Sequence, residues 1–117
     1  MGVNEKKLAL SNAVKHFELT GKIYYDNVHQ LRKIMAEGLD PGIKHLIFDC
    51  KKLDMIDSSG LSVFVELIKK LSARSGKLFF YQMNPGVEKV FKLTGLEQFV
   101  EIYPDFQTLR QELSNKL

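Results

Sequence analysis

The run Ile43-Lys44-His45-Leu46-Ile47-Phe48-Asp49-Cys50 constrains the fold more than any other stretch of the chain. It is mostly apolar, with β-branched and aromatic residues, and reads as a strand buried on both faces, the position of a central strand in a parallel sheet. Asp40-Pro41-Gly42 before it is a turn signal. A helical pattern from about Ser58 to Arg74, stopped near Gly76, follows it, and Leu78 to Met83 reads as the next strand. A β-α-β order requires parallel pairing through a right-handed crossover.

The remaining elements fit around this unit. Leu8 and Leu10, then Val14, Phe17 and Leu19, suggest two short strands joined by a turn at Ser11-Asn12, the second running into Thr20-Gly21-Lys22-Ile23. From an N-cap at Asp26, the residues Val28, Leu31, Ile34 and Met35 recur at helical spacing until Gly38. Asn84-Pro85 places a cap and then a proline at the first helical position, Val87, Val90, Phe91 and Leu93 supply the apolar stripe, and Gly95 ends it. Phe99 to Tyr103 is the expected last strand, and Asp105 caps a final helix with Phe106, Leu109 and Leu113 on one side. The expectation is an α/β fold, one domain over residues 1–117, with about five strands in a mixed sheet and about four helices packed mainly on one face.

Composition narrows the functional classes. Seventeen basic against fourteen acidic residues leave a net charge of +3, and the basic positions are scattered, so no direct nucleic-acid interface is expected. The single cysteine, Cys50, excludes an internal disulfide and a Cys-built metal site and reads as a buried thiol at the end of an apolar run. The first residues lack the apolar stretch of a signal peptide, and Lys6 stands where a myristoylation pattern needs Ser or Thr. No apolar run approaches ~18 residues. A cytoplasmic protein without membrane insertion is expected, with no cofactor and no metal.

The most informative segment is Leu53-Asp54-Met55-Ile56-Asp57-Ser58-Ser59-Gly60-Leu61-Ser62-Val63-Phe64-Val65, read as the link from the C-terminal end of the central strand to the second helix. Ligands and partners favour that edge of a parallel sheet. Asp57 and Ser58 are common helix-capping residues, and capping alone is one reading of them. The helical period distinguishes the two serines further. Ser59 heads the row Ser59-Val63-Leu67, expected to face the core, and Ser58 heads the row Ser58-Ser62-Glu66, expected to face water. A phosphate on Ser58 would sit outside the core, at the positive end of the helix dipole, where a dianion is tolerated. Gly60 would let a partner or a modifying enzyme approach the backbone. Asp57 would repel the phosphate, or hold a metal or a donor from the partner.

At this point the chain resembles the STAS domain, a family named after sulfate transporters and anti-sigma factor antagonists, and in particular the free-standing bacterial anti-sigma factor antagonists. Asp57-Ser58-Ser59-Gly60-Leu61 with Val63-Phe64-Val65 resembles the family's phosphorylation motif, in which the serine after the aspartate is the acceptor. Val87-Glu88-Lys89-Val90-Phe91-Lys92-Leu93-Thr94-Gly95-Leu96 resembles the family's third helix and its exit, and Phe99 to Leu113 fits its last strand and helix. The resemblance implies a STAS-like fold and a protein-binding switch. An anti-sigma factor with serine kinase activity would be bound while Ser58 is unphosphorylated and released once it phosphorylates Ser58 with ATP. A metal-dependent serine phosphatase would reset the switch.

One stretch departs from the family. After the second strand the family shows Gly, an acidic residue, an aliphatic residue and Asp, whereas this chain reads Gly21-Lys22-Ile23-Tyr24, so the partner-facing aspartate is replaced by Tyr24. Asp26 either substitutes for it or only caps the first helix. Tyr24, Tyr25, Met55 and Ile56 either form an apolar contact surface around Ser58 or, for Met55 and Ile56, face the core. The expected partner surface is therefore Tyr24, Asp26, Ile56, Asp57, Ser58, Ser59, Gly60 and Ser62. The alternative within the family is a scaffold subunit of a stress-signalling or transport complex without phosphoregulation. An enzyme built on Ser58 or Ser59 lacks support: no Gly-x-Ser-x-Gly elbow is present, and His16, His29 and His45 are expected at the surface or a sheet edge, with no metal-ligand spacing.

Overall fold

The computed structural model describes residues 1–7 and 11–116. The elements, in chain order, are β1 (Gly2–Lys6), β2 (Val14–Ile23), α1 (Val28–Gly38), β3 (His45–Ile56), α2 (Ser58–Ser72), β4 (Leu78–Tyr81), α3 (Pro85–Leu93), a 3-10 turn (Leu96–Gln98), β5 (Glu101–Tyr103) and α4 (Phe106–Lys116). The strands form one sheet in the order β1-β2-β3-β4-β5. β1 runs antiparallel to β2, and the remaining neighbours are parallel. The mixed α/β architecture expected from the sequence is the one observed.

The expected opening strand at Leu8 and Leu10 lies outside the described residues. The strand that pairs with β2 is Gly2–Lys6, with Gly2 opposite Thr20 and Lys6 opposite His16. Its sequence signal is weak because an edge strand needs little apolar content, and here Val3, with Met1 just before the strand, supplies the side chains that reach the core.

β3 is longer than its apolar run. It continues through Lys51 to Ile56 and stays paired with β2 up to Ile23↔Ile56, across register shifts at Glu18/Thr20 and Gly21/Lys22. Gly21 sits at φ +80°, a conformation in which a side chain would be strained. The segment read as a link is thus strand up to Ile56, and Asp57 alone joins it to α2.

Alternation along β3 and β4 feeds two cores. Leu46, Phe48 and Cys50, with Leu78 and Phe80, face the layer of α1, α2 and α3. There Phe64 meets Phe48 and Phe80 edge-on at 5.2 Å, and Phe91 meets Phe80 at 5.1 Å. Ile47, Phe79 and Tyr81 face the other way and are covered by Leu109 and Leu113 of α4. Three helices therefore share one face and the fourth takes the opposite one.

Several element ends differ from expectation. α1 begins after Asn27, not Asp26: Asn27 accepts the Tyr24 N–H at 3.0 Å and donates to the Lys22 carbonyl at 2.8 Å, folding the loop, while Asp26 stays exposed. α2 ends at Ser72, where the backbone closes with the Gly76 N–H on the Leu71 carbonyl at 2.7 Å, and the Arg74 side chain donates to the carbonyls of Asp40 and Ile43, at 2.8 Å each. The left-handed residue there is Ser75, at φ 59°. Gly76 is required for another reason, since a Cβ on it would lie 1.6 Å from the Lys44 carbonyl oxygen. β5 starts at Glu101, the 3-10 turn having taken Leu96–Gln98, and Phe99 is 65% exposed. α3 and α4 are capped as expected: Asn84 accepts Val87 N–H at 2.8 Å and Asp105 accepts Thr108 N–H at 2.7 Å.

Two of the three histidines are buried rather than at the surface. His45 accepts the Lys77 N–H at its Nδ1 at 3.1 Å and meets Phe79 edge-on. His16 stacks on Phe106 and lies with its Nε2 2.8 Å from the Tyr81 hydroxyl. That hydroxyl is also bonded to Asp49, which accepts from Lys6 Nζ at 2.5 Å and from Lys51 N–H at 3.0 Å. Lys6, Asp49, Tyr81 and His16 thus form a polar chain across four strands. With the Tyr81 proton given to Asp49, His16 donates from Nε2, and its buried Nδ1 has no partner among the described residues. Burial, reinforced by the Lys6 charge, holds His16 at a pKa of about 4. Burial pushes Asp49 upward, but Lys6, the Lys51 amide and Tyr81 outweigh it and leave its pKa below the usual value.

Candidate functional site

The second helix opens at the C-terminal edge of the sheet, beside the loop that leaves β2. Asp57 sits between them in extended conformation (φ −100°, ψ −177°), so its carboxylate turns back over the first turn of α2. Oδ1 accepts the Gly60 N–H at 3.1 Å, and Oδ2 accepts the Tyr25 N–H at 3.0 Å. Asp57 N–H in turn donates to the Ile23 carbonyl at 3.0 Å. Both carboxylate oxygens thus serve backbone amides of this chain. No group of three or more His, Cys, Asp or Glu side chains among the described residues is placed to hold a metal ion.

Ser58 is the first helical residue, and it is exposed. Ser62 and Glu66, one and two turns on, are exposed as well, while Ser59 is half-buried and heads a row of buried Val63 and Leu67. The division read from the helical period holds: water on one side for Ser58, core on the other for Ser59. The amides of the first turn lack intrahelical acceptors, and Asp57 satisfies that of Gly60. The local field at Ser58 thus combines the positive helix end with the adjacent Asp57 charge.

Two expected contact residues point inward. Ile56 is 2% exposed and belongs to the core below α1–α3, because the two register shifts against β2 reset the inward positions of β3 from Cys50 to Leu53 and then to Ile56. Gly60 is buried too, and a Cβ on it would lie 2.5 Å from Ile56 Cγ1 and 2.8 Å from Ile23 Cγ2. Its lack of a side chain lets α2 settle onto the ends of β2 and β3, not a partner onto α2. Met55 and Tyr24 are half-buried, and Tyr25 is 74% exposed. The surface around Ser58 is therefore Ser62, Tyr25 and Asp26, with Tyr24 and Ser59 partly accessible.

Sequence reasoning missed Arg32. From α1 it donates to Glu66 through Nε and Nη2, both at 3.3 Å, and Nη2 also lies 3.4 Å from Ser62 Oγ. Ser62 donates its own proton to the Ser59 carbonyl at 2.6 Å. Only the lateral packing of α1 on α2 puts a cation of one helix beside the serine row of the other. Asn84 was read as a cap alone, yet its Nδ2 also donates to the carbonyls of Leu53 and Asp54, at 3.0 Å each, fastening α3 to the end of β3.

The STAS domain model matches residues 6–109, and the chain belongs to the STAS domain family. Within that family it is similar to anti-sigma factor antagonists, which are regulatory binding proteins. A Bordetella bronchiseptica protein described as an anti-sigma factor antagonist, BtrV, is 33% identical over 86 residues, covering 74% of this chain and 72% of that protein. Among solved structures, an anti-sigma factor antagonist of Thermotoga maritima superposes with a TM-score of 0.82 at 24% identity, over 93% of this chain and 92% of that one. The Bacillus anti-sigma factor antagonist SpoIIAA has been solved in two states. Its unphosphorylated form gives a TM-score of 0.79 at 18% identity, over 97% of both chains. Its phosphorylated form gives 0.69 at 20% identity, over 94% of this chain and 98% of that one.

Proposed function

We propose that this chain is an anti-sigma factor antagonist whose binding is switched by phosphorylation of Ser58. The unmodified form sequesters an anti-sigma factor that is also a serine kinase, transfer of the ATP γ-phosphate to Ser58 releases it, and a serine phosphatase restores binding. The chain acts as substrate and ligand, not as a catalyst, in the cytoplasm. Among the described residues no helix is long and apolar enough to cross a membrane.

The observation that carries this reading is the exposure of Ser58 at the head of α2, next to a serine turned toward the core. The first hydroxyl is the more accessible of the two to a kinase. The phosphate adds about −2 charge at a helix N-terminus without entering the core, so the fold tolerates it. The same charge placed against exposed Tyr25 would have to be desolvated in any partner interface that covers both, which opposes binding. Relatives at comparable length and SpoIIAA's two states support the assignment. Tyr24 stands where the resemblance places a partner-facing aspartate, which favours a different partner specificity.

Phosphopeptide mapping of the chain purified from its host, with Ser58→Ala alongside, tests the site. Phosphate on Ser58 that disappears in the variant is the expected result; phosphate on Ser59, or none in any growth state, overturns it. Affinity capture with the unmodified chain should retain a protein with kinase activity that the phosphorylated chain does not hold.

A further inference from the structure

The row that carries Ser58 has a cation beside it. Arg32 grips Glu66 at 3.3 Å while its Nη2 stands 3.4 Å from Ser62 Oγ. Ser58 lies one turn further toward the start of α2, about 6 Å along the axis, on the same face. Both members of the pair are solvent-accessible, with 40% and 47% of their side chains exposed, so the guanidinium is held in a shallow, exchangeable contact. A phosphate on Ser58 projects several ångströms beyond Cβ and offers twice the charge of Glu66 in a geometry that a guanidinium binds bidentately.

We propose that Arg32 reads the phosphorylation state of Ser58. In the unmodified protein Arg32 neutralises Glu66 and braces Ser62. In the phosphorylated protein it turns one helical turn back to the phosphate and leaves Glu66 as an unpaired carboxylate on the surface of α2. The modification then alters the partner-facing strip at two places, a dianion at Ser58 and a bare anion two turns along. This account rests on the Ser58 reading above and gives it a regulatory residue on a different helix. Arg32 is a positioning residue here, since it takes no part in phosphate transfer.

The test installs phosphoserine at position 58 by genetic encoding, so it depends neither on finding the kinase nor on the partner. The second ionisation of the phosphate, ordinarily near pH 6, is followed by 31P NMR in the wild-type background, in Arg32→Gln and in Glu66→Gln. Asp57 on the cap, Lys22 and Asp26 on the β2–α1 loop, and His29 on α1 are common to all three, so differences report Arg32 and Glu66. Arg32→Gln should raise the phosphate pKa by about half a unit or more, and Glu66→Gln, which frees Arg32, should lower it. An unchanged value in Arg32→Gln overturns the proposal, and so does a raised value in Glu66→Gln. Circular dichroism checks that each variant is folded, as substitutions at these exposed helical positions should allow. If the phosphate senses Arg32 and yet partner capture is unaffected by it, the switch reading fails while the coupling stands.

Discussion

Asp57 ties the head of α2 to the loop leaving β2, its Oδ2 accepting the Tyr25 amide at 3.0 Å while its Oδ1 caps Gly60 at 3.1 Å. The residue beside the candidate acceptor serine therefore fixes both the first turn of a helix and an exposed tyrosine on a separate loop.

Asp57→Ala removes a helix cap, worth about 1 kcal/mol, and a second backbone acceptor, worth about another. Urea unfolding should show a loss of roughly 2 kcal/mol. Asp57→Asn keeps one acceptor oxygen for the Gly60 amide and should lose about half as much; no loss in Asp57→Asn would show that the Tyr25 bond contributes nothing.

Gly60→Ala inserts a methyl 2.5 Å from Ile56 Cγ1 and 2.8 Å from Ile23 Cγ2. Overpacking of this kind costs about 1–3 kcal/mol. Combined with Ile56→Ala, which removes the Cγ1 that the new methyl meets, the cost should fall below the sum of the two single changes in a double-mutant cycle. Ser58→Ala, at an exposed position, should stay within about 0.5 kcal/mol of wild type.

Stability should decline as pH falls from about 6.5 toward 4. The folded protein protonates His16 only near pH 4, against an ordinary value of 6.5. Between those values the unfolded chain binds more protons, so acid favours unfolding, and above 6.5 the contribution is fully present. The buried ring makes this on the order of 2–3 kcal/mol. His16→Phe, which can still stack on Phe106, should flatten the midpoint-against-pH curve in that window. Asp49, with a folded pKa below its ordinary 3.8, gives a separate loss at lower pH that the variant should retain.

Lys6→Met leaves the Asp49 carboxylate, 4% exposed, without its ammonium partner. The lysine is itself one-third exposed, so the loss should be nearer 2 kcal/mol than the 3–5 typical of a fully buried pair. Lys6→Met with Asp49→Asn should recover part of it, because no charge is then left unpaired in the sheet. A double variant as unstable as Lys6→Met alone would show that the cost comes from lost strand pairing.

Much of the fold was legible because local signals and tertiary demands agreed. The run at Leu46–Cys50 is apolar on both faces because both faces are covered, and Asn84-Pro85 and Asp105 cap helices as their chemistry favours. The misreadings fall where a residue answers to a distant neighbour. Asp26 and Asn27 are both plausible caps by residue type, and α1 begins after Asn27, whose side chain makes no capping bond and instead closes the loop between Tyr24 and Lys22. Gly60 is small for Ile23 and Ile56, and neither its position in the motif nor its neighbours in sequence reveal that. Edge strand β1, with few apolar residues, leaves almost no pattern to read.

The sequence by itself determined the family, the β-α-β centre and the division of the two serines, since helical periodicity and strand alternation are properties of the local chain. Only the tertiary structure decided that Ile56 and Gly60 belong to the core, that Asp57 joins two loops, that Arg32 stands beside the Ser58 row, and that His16, Tyr81, Asp49 and Lys6 form one buried chain. Those are contacts between residues far apart in sequence, and they come into being only when sheet register and helix packing bring the side chains within a few ångströms of one another.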